Sequence, residues 1–307
     1  NIKPREVVEN ISTDILYEVP LLLQKQEIDQ MVVEKLNLNC DRADMWYWEE
    51  LAGKARNLPN EITVGLVGKY VDLRDAYISI NEALFHAGLY HQVGVNVKLI
   101  QAEDLESEGP EELLRGLNGI LVPGGFGDRG IQGKISAIQF ARESKTPFLG
   151  LCLGMQCAVI EFARNAAGIT AAHSTEFAPD TPDPVIDFLP GQNENTKLGG
   201  TLRLGAYPCT IKPGTLAEQA YQTAKITERH RHRYEFNNDY QEVLERSGMI
   251  FSGINKEAGL VEMVELSGHP WFIAVHFHPE FKSRPHRPHP LFRDFVGSAL
   301  KHQGTSS

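Results

Sequence analysis

From Glu61 onward, short apolar runs alternate with stretches of helical periodicity, and few folds accommodate that alternation. Residues 62–67 (ITVGLV) read as a buried strand, because a short apolar, β-branched run is the mark of one. Residues 75–87 read as a helix, with Tyr77, Ile80, Ala83 and Leu84 recurring at steps of three and four. Three more strands follow at residues 95–100 (VNVKLI), 120–122 (ILV) and 147–151 (PFLGL). Helical stretches at 113–117, 135–142 and 155–166 separate and follow them. Strands spaced by helices predict an α/β fold with a mostly parallel, doubly wound sheet. Ligands of such sheets bind beyond the carboxyl ends of the strands. The two oddest loops of the chain, PGGFG at 123–127 and the turn at Cys152, fall on that edge.

The second half reads as richer in strands, at 198–210 and 262–275, which adds antiparallel strands to the sheet. Helices are expected at 215–224 and 290–300, and the polar stretch 191–197 (GQNENTK) reads as a loop. Residues 1–60 form a separate segment. It holds an apolar run, 17–23 (YEVPLLL), broken by Pro20, then a mixed helical stretch and a Trp46–Trp48 patch, and it ends in a linker, NLPN. Such a segment is too short to build a core alone. The expected organisation is therefore 1–60, a main domain at 61–302, and a frayed tail at 303–307. The chain opens without Met and in mid-pattern, so the natural start is expected to lie upstream.

Charge narrows the function. There are 30 Lys and Arg against 40 Asp and Glu, a net charge of −10, which argues against a dedicated nucleic-acid or anionic-membrane binder. No apolar stretch reaches the roughly 18 residues that a bilayer span needs. Four scattered cysteines make no disulfide framework, so a reduced, cytoplasmic protein is expected.

Three local patterns carry chemistry. Gly150-Leu151-Cys152-Leu153-Gly154 has the form of a nucleophile elbow, in which a side chain projects from a sharp strand-to-helix turn and its neighbours two positions away must be tiny. A helix N-terminus also favours a thiolate. A buried, inert cysteine in a βα turn is the plain alternative. Pro123-Gly124-Gly125-Phe126-Gly127 lets backbone N–H groups converge on a small anion, such as the oxyanion of an acyl-transfer intermediate. An ordinary glycine turn is the alternative there; no G-x-x-x-x-G-K-[ST] phosphate loop occurs in the chain. Third, His276-Phe277-His278-Pro279-Glu280 follows an apolar strand. A cysteine nucleophile needs a base that also protonates the leaving amine, and a carboxylate to orient it; His278 and Glu280 suit those tasks. Metal ligation by His276 and His278 is the competing reading, but no third ligand stands at a convincing spacing, and no metal is expected. The basic run 229–233 (RHRHR), flanked by Glu228 and Glu235, reads as a loop carrying one or two substrate-contacting arginines. Arg287 and His289 receive no role.

PGGFG, GLCLGMQ and FHPE, in that order, resemble the class I (triad) glutamine amidotransferase family. YEVPLLL, VGKYVDLRDAY, HSTEF, LGGTLRLG, ERHRHRYE and HPEFKSRP with HPLF further resemble the CTP synthase family. There, residues 61–302 match the glutaminase domain, and residues 1–57 match only the end of the synthetase domain and the linker. The resemblance implies Cys152 as nucleophile, His278 as base and Glu280 as its carboxylate, with the N–H groups of Gly125 and Leu153 as oxyanion donors. It implies Gly124, Gln156, Glu176 and Arg233 as glutamine contacts, and Phe126 and Arg129 near an allosteric GTP. Ammonia from glutamine would serve the ATP-, Mg- and UTP-dependent amination in the absent synthetase domain, the expected partner, and the full-length protein would be a homo-oligomer. No cofactor is implied for the glutaminase domain itself, and this chain as given should not make CTP. The position two before the histidine base is often Gln in relatives and is His276 here. Alternatives are another class I amidotransferase, a γ-glutamyl hydrolase, or a non-catalytic regulatory module on the same fold.

Overall fold

A computed structural model describes residues 2–71, 73–188 and 203–305. Residues 191–197, expected as a polar loop, lie outside the described residues. The chain divides into two compact units, residues 1–60 with 92–94, and residues 61–91 with 95–307.

The first unit is helical. Its helices are α1 (Val19–Gln24), α2 (Ile28–Lys35) and α3 (Trp46–Arg56). The apolar run containing Pro20 becomes α1 because proline at the first turn lacks only an N–H that has no intrahelical partner there. Tyr17 stacks on Trp48, with ring centroids 6.5 Å apart.

The second unit carries a nine-stranded sheet. In chain order its elements begin β1 (Glu61–Gly68), α4 (Ile78–His91), β2 (Gly94–Gln101), α5 (Ala102–Ser107), α6 (Pro110–Leu114), β3 (Gly119–Val122), α7 (Ile131–Ser144), β4 (Phe148–Leu151) and α8 (Leu153–Asn165). They continue with β5 (Ala172–Ser174), β6 (Asp183–Phe188), β7 (Arg203–Ile211), α9 (Leu216–Tyr221), β8 (Lys225–His232), β9 (Tyr234–Phe236) and α10 (Gln241–Arg246). The last are β10 (Met249–Asn255), β11 (Leu260–Leu266), β12 (Phe272–Val275) and α11 (Pro290–Thr305).

Strand order is β2-β1-β3-β4-β12-β11-β10-β7-β8, with β5-β6-β9 as a second, small sheet. The pairs β1–β3, β3–β4 and β4–β12 are parallel; β12–β11, β11–β10, β10–β7 and β7–β8 are antiparallel. The expected α/β sheet with added antiparallel strands is therefore present, and β12 is where its two halves meet. The apolar stretch 262–275 is two strands, β11 and β12, not one run. Gly268, at φ 70°, sits in the turn between them. α11 also runs on past residue 300, to Thr305.

β3, β4 and β12 are buried at every residue. Every residue of β11 is buried too, although it carries Glu262 and Glu265. The Glu265 carboxylate accepts the N–H groups of Leu216 and Ala217 at 2.9 and 2.8 Å, satisfying free donors at the start of α9. Glu262 is held by Arg203, which donates to both its oxygens, at 3.1 and 2.5 Å. No helix among the described residues is long and apolar enough to cross a membrane.

Candidate active site

Cys152 stands between β4 and α8 with φ 51° and ψ −103°, a conformation that residues with a Cβ avoid. The chain around it leaves no room for side chains on either flank. A Cβ on Gly150 would lie 2.9 Å from the Gly154 carbonyl oxygen, and one on Gly154 would collide with the Val122 carbonyl of β3. The Cys152 N–H donates to the Val275 carbonyl at 2.7 Å, which ties the turn to the end of β12. Three residues beyond that end is His278.

His278 Nδ1 meets Glu280 Oε1 at 2.8 Å, and the His278 N–H donates to the Arg229 carbonyl at 2.8 Å. With Nδ1 engaged, Nε2 is the His278 nitrogen left to serve Cys152, whose Sγ lies 3.9 Å from the Arg231 carbonyl oxygen. Burial disfavours charge on this imidazole, but the hydrogen bonds and charges of Cys152 and Glu280 outweigh it and push its pKa up to about 10. Gly124 packs into the same corner: a Cβ there would be 2.9 Å from His278 Cε1 and 3.4 Å from Cys152 Cβ. Gly125 lies beside Leu153, 3.3 Å from a built Cβ to Leu153 Cδ2. Leu153 is the first residue of α8, so its N–H has no acceptor within the helix. Gly125 and Cys152 line one pocket, and Leu153 follows Cys152 in the chain.

Two pockets open on Cys152. The first, about 410 Å³, brings it together with Gly125, Gln156, Glu176 and Arg233. Burial raises the Glu176 pKa, opposed by the Gly127 N–H at 3.3 Å and by the charge of Arg233. Arg233 Nε is buried and has no hydrogen-bond partner among the described residues. An unsatisfied guanidinium nitrogen facing a carboxylate across a small pocket suits a ligand with both an anionic and a cationic group. The second pocket, about 700 Å³, is lined by Cys152, His278 and Glu280 within an apolar rim of Ile78, Phe126 and Phe281. Phe126 borders both pockets; Arg129 borders neither. Arg129 pairs instead with Glu103 at 3.2 Å and donates to the Lys69 carbonyl at 2.5 Å.

The basic run is a strand and not a loop. Residues 229–232 lie in β8, paired with β7, and burial alternates along it: Glu228, His230 and His232 point inward, Arg229 and Arg231 outward. The period of two was hidden because both alternating residue types are basic. The inward histidines join a buried polar cluster that the sequence reading missed. His230 Nδ1 meets His232 Nε2 at 2.9 Å, and His232 stacks on His276 with centroids 3.9 Å apart and planes 12° from parallel.

His276 and His278 therefore do not share a ligand. His232, Glu235 and His276 do offer ligand-type atoms close together. Imidazole lone pairs lie in the ring plane, however, and two nearly parallel rings cannot aim them at one ion about 2 Å from each nitrogen. This donor set does not fit a metal.

A family model described as "Glutamine amidotransferase class-I" matches residues 72–298. The CTP synthase of Carboxydothermus hydrogenoformans is 56% identical over 301 residues, which cover 98% of this chain and 56% of that protein. The CTP synthase of Caldanaerobacter subterraneus subsp. tengcongensis is 55% identical over 300 residues, with the same coverage of 98% and 56%. The chain thus spans about half the length of the curated relatives it matches. Among solved structures, the glutaminase domain of Trypanosoma brucei CTPS with bound acivicin superposes with a TM-score of 0.73 at 36% identity, covering 78% of this chain and 94% of that one.

Proposed function

This chain belongs to the class I glutamine amidotransferase family, and on that premise we propose that it is the glutamine-hydrolysing half of a CTP synthase. The observation that carries the reading is the elbow: a buried cysteine at φ 51° that shares a pocket with a histidine that Glu280 holds from behind.

The Cys152 thiolate attacks the side-chain amide carbon of glutamine, and the carbonyl electrons move onto oxygen, which the N–H groups of Gly125 and Leu153 receive. His278 gives its proton to the departing nitrogen; the C–N bond breaks, ammonia leaves, and a γ-glutamyl thioester remains. That step also readies the next. The raised pKa of His278 depends on Cys152, so once the sulfur is acylated the imidazole sheds its proton more easily. It can then take a proton from water, which attacks the thioester and releases glutamate. Glu280 keeps Nε2 aimed at the sulfur throughout.

Arg233 is matched to the substrate α-carboxylate and Glu176 to its α-ammonium, with Gln156 in the same pocket and Gly124 lining the neighbouring one beside Cys152. The ammonia serves amination of UTP to CTP by a synthetase domain that uses ATP and Mg; GTP acts as allosteric activator near Phe126, with Arg129 further off. The full-length protein is a homo-oligomer of the cytoplasm, where the free thiols of Cys152, Cys157 and Cys209 stay reduced. The test is direct. The chain incubated with glutamine, with and without GTP, releases glutamate and ammonia in equal amounts. Ammonia without glutamate, or release of glutamate from any γ-glutamyl amide as readily as from glutamine, favours a different hydrolase.

A further inference from the structure

Gln156 is one helical turn beyond Cys152, is 3% exposed, and borders the pocket that holds Glu176 and Arg233. An amide in that place can present either its oxygen or its nitrogen to a ligand, and the two choices have opposite polarity. What selects between them lies behind it. Gln156 Nε2 is 3.1 Å from His276 Nε2 and 3.4 Å from the Tyr234 carbonyl oxygen. That carbonyl can only accept. His276 must then accept as well, and the charge on its far side agrees: His276 Nδ1 lies 3.1 Å from Glu235 Oε2, too poorly aligned for a hydrogen bond but close enough for the carboxylate to favour a proton on that nitrogen. A neutral imidazole has one proton, and the carboxylate draws it to Nδ1. Burial, with Arg203 nearby, holds the His276 pKa down to about 3, so the ring is neutral throughout the working range.

The same logic repeats next door. His232 Nδ1 faces the Tyr234 carbonyl at 3.1 Å and Glu235 Oε1 at 3.4 Å, so its Nε2 is bare and accepts from His230. Glu235 thus lies beside the Nδ1 atoms of two stacked rings, and Arg203 lies 3.5 Å from Glu235.

We propose that His276 is a positioning residue: with its proton on Nδ1 facing Glu235, it offers a bare Nε2 to the Gln156 NH2 group and so turns Gln156 Oε1 toward the glutamine pocket. The pocket then carries two acceptors, Gln156 Oε1 and the Glu176 carboxylate, opposite one donor group, Arg233. That polarity fits an α-amino acid, with its ammonium on the acceptors and its carboxylate on the guanidinium. Reversed, the Gln156 NH2 group would face the ammonium. The inference rests on the glutaminase reading above and says which residue sets the sign of its substrate site.

Two measurements test it. In wild-type chain labelled with ¹⁵N, the His276 ring nitrogens show the Nδ1–H tautomer; an Nε2–H tautomer overturns the inference whatever the activity. Steady-state kinetics on glutamine and on its deamino analogue, identical but for the α-ammonium, give the second. His276→Phe keeps the stacked ring but removes the acceptor. It raises KM for glutamine about 10- to 100-fold, the usual effect of losing one hydrogen bond to a charged group, with a smaller change in kcat. KM for the deamino analogue barely moves. His276→Gln, whose amide offers an acceptor and a donor together, restores most of the glutamine KM. A merely structural role moves both substrates alike and shows no rescue, which contradicts the proposal, as does an unchanged KM in His276→Phe. If wild-type chain shows no Cys152-dependent hydrolysis, the glutaminase reading falls first, while the tautomer result stands or falls by itself.

Discussion

Cys152→Ala abolishes glutamate release, with a loss of at least about 10⁴-fold relative to the parent chain, since only residual binding and oxyanion stabilisation remain once a nucleophile is gone. The same substitution changes His278 in a way that a remote cysteine could not. The pKa of His278 sits at about 10, against an ordinary 6.5, because Cys152 and Glu280 together overcome the penalty of burial. Removing the sulfur leaves burial opposed by Glu280 alone, so the pKa falls toward neutrality, and an NMR titration of the His278 ring follows it. The stability consequence has a definite sign. A histidine whose folded pKa is raised stabilises the fold fully below about pH 6.5 and loses that contribution as pH climbs through the folded value. The parent chain therefore loses this contribution only toward pH 10, whereas the alanine variant loses it several units earlier. An unchanged titration would separate Cys152 from His278 and remove the basis of the mechanism.

Arg203→Met destabilises the chain by about 3–5 kcal/mol, the usual cost of leaving a buried partner charge alone. Arg203 spans β7 and β11, reaching both oxygens of Glu262 and, at 3.5 Å, Glu235. All three side chains are buried. Even with the arginine present, burial lifts the Glu262 pKa to about 7; without it, both carboxylates rise further. For an acid whose folded pKa exceeds the unfolded one, stability falls as pH rises between the two. The variant is thus least impaired near pH 5, where the carboxylates take up protons, and most impaired above pH 7. Denaturant melts at the two pH values measure the difference. Because Glu235 also lies beside His276 and His232, a surviving fraction of the variant should bind glutamine poorly as well. A variant as stable as the parent at pH 8 would show that the cluster is solvated and not a buried charge network.

How much of this was legible beforehand depends on how far each feature reaches along the chain. β1, β3 and β4 announced themselves because a strand buried on both faces is apolar at every position. The elbow was legible because its steric demand falls on residues two positions away, Gly150 and Gly154, and both constraints act within one turn. His278 and Glu280 were legible as a pair because they are local to each other. The cluster behind the site was not. Arg203 on β7, Glu235 on β9, Glu262 on β11 and His276 just past β12 come from four separate strands or strand ends, and no local pattern records which inward-facing charges will meet. β8 reads as a loop in the sequence because alternating Arg and His lack the polar–apolar contrast that normally reveals a strand. The run around Pro20 hid a helix for the opposite reason: proline reads as a breaker, yet it is tolerated at the first turn.

The central claim is that Cys152 forms a covalent γ-glutamyl intermediate under the control of His278. Intact-protein mass spectrometry with peptide mapping, after exposure of the chain to acivicin as a glutamine-like electrophile, tests it most directly. The account predicts a single adduct on Cys152, suppressed by excess glutamine, slowed strongly in His278→Ala, and absent from Cys40, Cys157 and Cys209. Labelling spread over the other cysteines, or labelling of Cys152 that neither glutamine nor loss of His278 affects, would contradict it.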